Sequence, residues 1–229
     1  MPDAVHPRSI RSFVTRAGRI TAAQERALAE LWPKYGIDFA PRALELPALF
    51  GRQAPCTLEI GFGNGENLVA LAAAHPARDY LGIEVHRPGV GRALLALEER
   101  AVANVRLICH DAVEVLERQI AAGSLDEVLI LFPDPWPKKR HHKRRLIQAP
   151  FVALIARALA AGGTLHLATD WQPYAQEMLA VLGAAPGLGN AAPGGGFSAR
   201  PAERLPTRFE RRGLRLGHEV WDLAFRRRA

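Results

Sequence analysis

Leu58-Glu-Ile-Gly-Phe-Gly-Asn-Gly65 is the stretch that decides the fold. A short apolar run ends in glycines at 61, 63 and 65, and an Ala/Leu helix over 67–75, closed by Pro76, comes next. This reads as a buried strand turning sharply into a helix, where glycine permits the turn and leaves a ligand room to approach. The alternation repeats outward. Strands are expected over 57–61, 80–85, 105–109, 127–132 and 164–169, and helices over 67–75, 91–101, 112–121, 150–160 (ending near Gly162-Gly163) and 174–182. Repeated βα units imply an α/β, doubly wound, mostly parallel sheet with helices on both faces. Two closing strands, around 208–212 and 218–225, complete a seven-stranded sheet, while the Gly/Ala/Pro-rich 183–200 reads as a loop. Upstream, Thr21 reads as an N-cap with Gln24 at the third position of a helix over 22–31, and Pro33, Pro41 and Pro47 break the segment beyond it. The expected division is a basic arm and approach segment at 1–50 and a ligand-binding domain at 51–229.

Open α/β sheets bind ligands at the C-terminal ends of their strands. The glycine loop is GxGxG, whereas a dinucleotide fingerprint needs Gly or Ala at position 66. Glu66 would place bulk and negative charge where a pyrophosphate sits. S-adenosylmethionine has no phosphate; its sulfonium and ammonium favour nearby carboxylates. Glu59, just before the glycines, is placed to meet the ammonium directly or through water. Glu84 ends the second strand about 20 residues beyond the loop and suits the ribose hydroxyls. Asp111 follows the third strand and can accept from an adenine amino group. Each acid alone is equally an N-cap or first-turn residue; three at successive strand ends behind GxGxG point to S-adenosylmethionine.

The fourth strand runs into Leu131-Phe-Pro-Asp-Pro-Trp-Pro-Lys138. Its prolines fix the backbone around Asp134 and Trp136. One reading is a structural turn with a core Trp. The other is the turn of amino-methyltransferases, whose polar side chain holds a base edge while the ring stacks on it. Lys138–Arg145 comes directly after and carries +6 with histidines neutral; residues 1–26 carry +3 and 200–229 carry +5, against a chain total of +7. The rest of the chain is therefore acidic, and such segregation suggests a polyanionic partner.

Here the sequence resembles the bacterial tRNA (guanine-N7)-methyltransferase family (TrmB type), class I S-adenosylmethionine-dependent methyltransferases with a Rossmann-like fold. The resemblance is carried by Arg11-Ser-Phe-Val-Thr-Arg-Ala-Gly-Arg19, the Leu58–Gly65 loop, Phe132-Pro-Asp-Pro-Trp136 and Lys138 to Arg145. Ala168-Thr-Asp-Trp171 and Thr207-Arg-Phe-Glu-Arg-Arg-Gly213 add to it. It implies that Glu59, Gly61, Gly63, Gly65, Glu84, Asp111 and Asp134 line the cofactor site, with Asp134 also catalytic. It implies that Lys138, Asp170, Thr207, Arg208, Phe209 and Glu210 contact the substrate nucleotide. Arg140, His141, His142, Lys143, Arg144 and Arg145 would contact RNA, and the implied substrate is guanine 46 of the tRNA variable loop. Pro137 departs from the pattern, which often has His there.

Other classes are disfavoured. No run of ~18 apolar residues suggests a membrane span. The N-terminus carries no apolar signal region, and Cys56 and Cys109 fit neither a zinc site nor a disulfide framework. The expectation is a cytoplasmic, metal-free protein with tRNA as its partner; the oligomeric state is left open, with a monomer favoured. The rivals are an NAD-dependent oxidoreductase, which Glu66 opposes, and a non-catalytic RNA-binding protein, which leaves the glycine loop and acids unexplained. A methyltransferase for another RNA base or position is a third. Whether the N-terminal arm wraps RNA or covers the cofactor stays open.

Overall fold

A computed structural model describes residues 12, 13, 19–202, 204, 207, 210, 211, 217 and 219–228. Arg208 and Phe209, assigned above to substrate contact, and most of the N-terminal arm lie outside the described residues.

Thr21 caps helix α1 (Ala22–Glu30). Gln24 N–H donates to Thr21 Oγ1 at 3.3 Å and Thr21 N–H donates to Gln24 Oε1 at 2.8 Å, which closes the expected capping box. Next come α2 (Trp32–Tyr35), strand β1 (Gly36–Ile37) and α3 (Leu46–Phe50). Then β2 (Cys56–Ile60), α4 (Glu66–Ala74), β3 (Asp79–Ile83), α5 (Arg87–Glu99), β4 (Val105–Ile108), α6 (Ala112–Arg118) and β5 (Leu125–Leu131) alternate. A short 3-10 helix (Lys139–Arg144) precedes α7 (Ala149–Ala158), β6 (Leu159–Thr169), α8 (Gln172–Gly183), β7 (Leu188–Asn190) and β8 (Trp221–Arg227).

The strand order is β1-β4-β3-β2-β5-β6-β8-β7, with β1 to β6 paired parallel and β8 antiparallel to both β6 and β7. The sheet thus has eight strands among the described residues, not seven. The extra one is two-residue β1, so the approach segment contributes to the sheet, and Ala27 and Tyr35 join a core cluster. Of the two expected closing strands, the one around 208–212 is not borne out at its described residues. Glu210 and Arg211 are helical, and β7 from the expected loop pairs with β8. Three residues of a Gly/Ala/Pro-rich stretch, with no apolar alternation, carry no strand signal.

Helices cover both faces. Leu58, Ile130, Leu165 and Phe225 pack with Leu116 of α6, Ile155 of α7 and Met178 of α8. On the opposite face Tyr80 and Leu107 pack with Ala27 of α1, Leu68 of α4 and Leu94 of α5. Every residue of β2 and β3 is buried, as expected of central parallel strands covered on both sides. Gly162 and Gly163, expected to end α7, instead sit inside β6, with Gly162 at φ 77° and a register shift against β5. The glycines here make an irregularity in a strand.

Candidate active site

The order reverses between β2, whose chain moves outward to β3, and β5 on its other side. This is the switch point at which a crevice opens beyond the strand ends. Ile60 pairs with both Ile83 and Ile130, Glu84 N–H donates to Ile108 O at 3.1 Å, and Phe132 N–H donates to Ala168 O at 2.7 Å. The residues that succeed each strand, from Gly61, Glu84, Cys109, Phe132 and Asp170, therefore share one rim. The assigned cofactor residues and the Asp134 turn arrive at it together, as does Asp170.

Gly61, Gly63 and Gly65 all have positive φ, at 75°, 59° and 79°. A Cβ added at Gly61 or Gly63 would meet no atom within 4 Å, so the loop faces open space and can admit a ligand. Gly65 caps α4, and Glu66 opens that helix with its side chain exposed. Glu59 is 3% exposed and accepts from Asn67 Nδ2 at 2.9 Å. Burial pushes its carboxyl up to about 7, partly offset by the Asn67 bond, with the Glu84 charge pushing further upward. A buried acid at the edge of an open loop suits a cationic ligand, which would favour its ionised form. Glu84 accepts from Gly63 N–H at 2.9 Å through Oε2, and from Val85 and His86 N–H at 2.7 and 2.9 Å through Oε1. It braces the glycine loop from the end of β3. Asp111 accepts from Val113 N–H at 2.9 Å as the N-cap of α6. Each carboxylate oxygen has two lone pairs, so such bonds leave capacity for a ligand. The donor set fits S-adenosylmethionine: open glycines, a buried acid for the ammonium, and two acids for the ribose and adenine.

In the Asp134 turn, Phe132 and Trp136 have φ 53° and 44°. Left-handed backbone at bulky residues costs on the order of 1–3 kcal/mol each and persists only where surroundings enforce it. Asp134 is exposed at the centre of the turn. Trp136 is half-buried: its Nε1–H donates to Ser12 O at 3.1 Å, the Arg144 guanidinium lies 5.2 Å from its ring centroid, and the His141 ring meets it edge-on at 5.8 Å. Trp136 is thus neither a core residue nor a bare stacking surface, but a node joining the arm, the turn and the basic helix.

Of the basic residues, Lys138, Arg140 and Lys143 are exposed, and His141, His142 and Arg144 are half-buried. Arg145 requires a correction. It is 3% exposed; its Nε–H donates to Pro135 O at 2.9 Å and its Nη1 is paired with Glu177 of α8. A guanidinium so enclosed presents no face to a phosphate.

Thr207 and Glu210 exchange the bonds of a second capping box, Glu210 N–H to Thr207 Oγ1 at 3.1 Å and Thr207 N–H to Glu210 Oε2 at 3.3 Å. Sequence reasoning missed what holds them. Arg204, 5% exposed, donates to Glu210 at 2.6 and 3.1 Å and to Asp222 at 3.2 Å, and lies 5.7 Å from the Phe132 ring centroid. Arg211 reaches Glu66 at 3.0 Å. These contacts set Arg204 against the Asp134 turn and Arg211 against Glu66, beside the glycine loop. Thr-x-x-Glu was visible in the sequence; the partners of Arg204 were not, since nothing local ties it to Asp222.

Among the described residues, no cluster of three or more His, Cys, Asp or Glu could hold a metal, and no helix is long and apolar enough to cross a membrane. Cys56 is buried, its thiol pushed up to about 12 by desolvation.

The family model described as "Putative methyltransferase" matches residues 53–223. A tRNA (guanine-N(7)-)-methyltransferase of Leifsonia xyli is 61% identical over 216 residues, covering 94% of this chain and 95% of that protein. Among solved structures, the 16S rRNA methyltransferase KamB superposes with a TM-score of 0.58 at 17% identity, over 81% of this chain and 93% of that one. The 16S rRNA (adenine(1408)-N(1))-methyltransferase of Catenulisporales acidiphilia, solved as a point mutant with cosubstrate SAM, gives 0.54 at 16% identity, over 84% and 93%. At such identities the structural likeness speaks for the fold.

Proposed function

The chain belongs to the tRNA (guanine-N7)-methyltransferase family, and from that premise we propose that it transfers a methyl group from S-adenosyl-L-methionine to N7 of guanine 46 in the variable loop of tRNA, in the cytoplasm. The observation that carries the reading is the meeting of an open, acid-lined glycine loop with the Asp134 turn at one switch point, beside an exposed basic helix.

When bound, S-adenosylmethionine supplies an electrophilic methyl group on its sulfonium. Guanine N7 has an in-plane lone pair and no proton at neutral pH, so no general base is needed there. The chain's work is positioning, which in favourable cases offsets ~7–11 kcal/mol of barrier. Glu59 holds the ammonium, Glu84 the ribose hydroxyls and Asp111 the adenine amino group. Asp134 and Asp170 face the base from neighbouring strand ends. As carboxylates they stabilise the positive charge that develops on the imidazole ring, or accept from the guanine N1–H and amino group. Lys138, Thr207, Arg208, Phe209 and Glu210 bound the nucleotide, and Arg140, His141, His142, Lys143 and Arg144 hold backbone phosphates.

The test is to react the protein with unmodified tRNA and methyl-labelled cofactor, then map the modified nucleoside. N7-methylguanosine at position 46 is expected; a methyl group on another base or position favours the rival RNA methyltransferase, and no transfer refutes the reading.

A further inference from the structure

Arg145 reads in the sequence as one more RNA contact, yet it faces inward. Its guanidinium is anchored twice to the protein, by Nε–H to Pro135 O at 2.9 Å and by Nη1 to Glu177 of α8. It also lies 4.8 Å from the Tyr174 ring centroid, and Tyr174 Oη accepts from Ile147 N–H at 3.1 Å. Pro135 stands between Asp134 and Trp136 in a turn whose prolines at 133, 135 and 137 contribute no N–H. Such a turn has few backbone donors of its own with which to hold its shape, and it also carries left-handed backbone at Phe132 and Trp136. A planar guanidinium can bond the Pro135 carbonyl with one edge and a helix carboxylate with another, which a lysine ammonium cannot do in the same geometry.

We propose that Arg145 is a positioning residue for methyl transfer: it ties the Asp134 turn to α8 and so fixes Asp134 and Trp136 against the target base. The proposal rests on the function given above. It also divides the basic block into an outer part that meets RNA and an inner residue that aims the turn. The remaining guanidinium nitrogen, Nη2, is buried with no hydrogen-bond partner in the structure.

The test compares wild type, Arg145→Lys and Glu177→Gln, each assayed well below its own melting midpoint. Measured are kcat, the KM for S-adenosylmethionine, the tRNA Kd and its salt dependence. A misplacement of about 1 Å at a reacting centre is worth about 100-fold in rate. Arg145→Lys should therefore lower kcat by about 10- to 100-fold with KM for the cofactor, tRNA Kd and salt slope unchanged. Glu177→Gln, which retains the Pro135 bond, should produce a smaller fall of the same kind. The proposal is overturned if Arg145→Lys keeps wild-type kcat, if the salt slope drops by one phosphate contact, or if lost activity merely tracks lost folded protein. The wild-type control separates the two claims: if it forms no N7-methylguanosine the proposed function fails, whereas an active wild type with an equally active variant refutes only the role of Arg145.

Discussion

Glu59→Gln exchanges a buried carboxylate for a neutral amide of the same shape, whose oxygen can still accept from Asn67. In the folded chain burial raises the Glu59 carboxyl from 4.5 to about 7. The folded state therefore holds this proton more tightly than the unfolded state does. As pH rises from 4.5 towards 7 the unfolded chain ionises first and stability is lost; above both values the loss is complete, at about 3 kcal/mol. The glutamine variant escapes this loss. Without ligand it should match wild type near pH 4.5 and exceed it by up to about 3 kcal/mol near pH 8, or roughly 6–10 °C in Tm for a chain of this length. Cofactor affinity should move the other way. Calorimetry with S-adenosylhomocysteine, which keeps the ammonium, should show weaker binding to the variant, and wild-type affinity should decline as pH falls below about 7. A glutamine variant less stable than wild type near pH 8, or a stability difference independent of pH, would refute the reasoning.

Three further outcomes are expected. Asp134→Ala should lower turnover by orders of magnitude while S-adenosylhomocysteine affinity changes far less; near wild-type turnover at saturating substrates would remove Asp134 from the chemistry. Neutralising Lys143 and Arg144 should weaken tRNA binding and flatten its salt dependence by about 0.7–0.9 per lost phosphate contact in a filter-binding series, and an unchanged slope would make the block a merely solvated surface. Arg204→Met strands the buried Glu210 and Asp222 carboxylates, and losing one partner of such a cluster costs about 3–5 kcal/mol. The deficit, read from Tm, should shrink as pH falls and the Asp222 carboxyl protonates, because burial already pushes that carboxyl upward while Arg204 holds it down.

The rim of the site was legible because strand, glycine loop and acid recur at fixed offsets along the chain, and the Thr21–Gln24 cap because it is local. The positions of Glu59, Glu84, Asp111 and Asp134 follow from topology alone once the parallel order is assumed. What was not legible depends on distance. Arg145 is indistinguishable from Arg144 in sequence, and what turns it inward includes Glu177, 32 residues away. Arg204 meets Asp222 across 18 residues. Gly162 and Gly163 read as a helix stop since glycine serves a cap and a strand irregularity equally well. β7 is silent in the sequence because its residues carry little pattern and pair only once β8 is in place.

Both margins of the sheet are stubs: β1 is two residues long and β7 three. Unpaired strand margins are templates on which a second chain can zip, and truncated ones give an incoming backbone little to register against. A protein that must remain dispersed while clasping a long polyanion benefits from such brevity. Its recognition surface lies at the tips of the strands, and the flanks offer a stray chain almost no foothold.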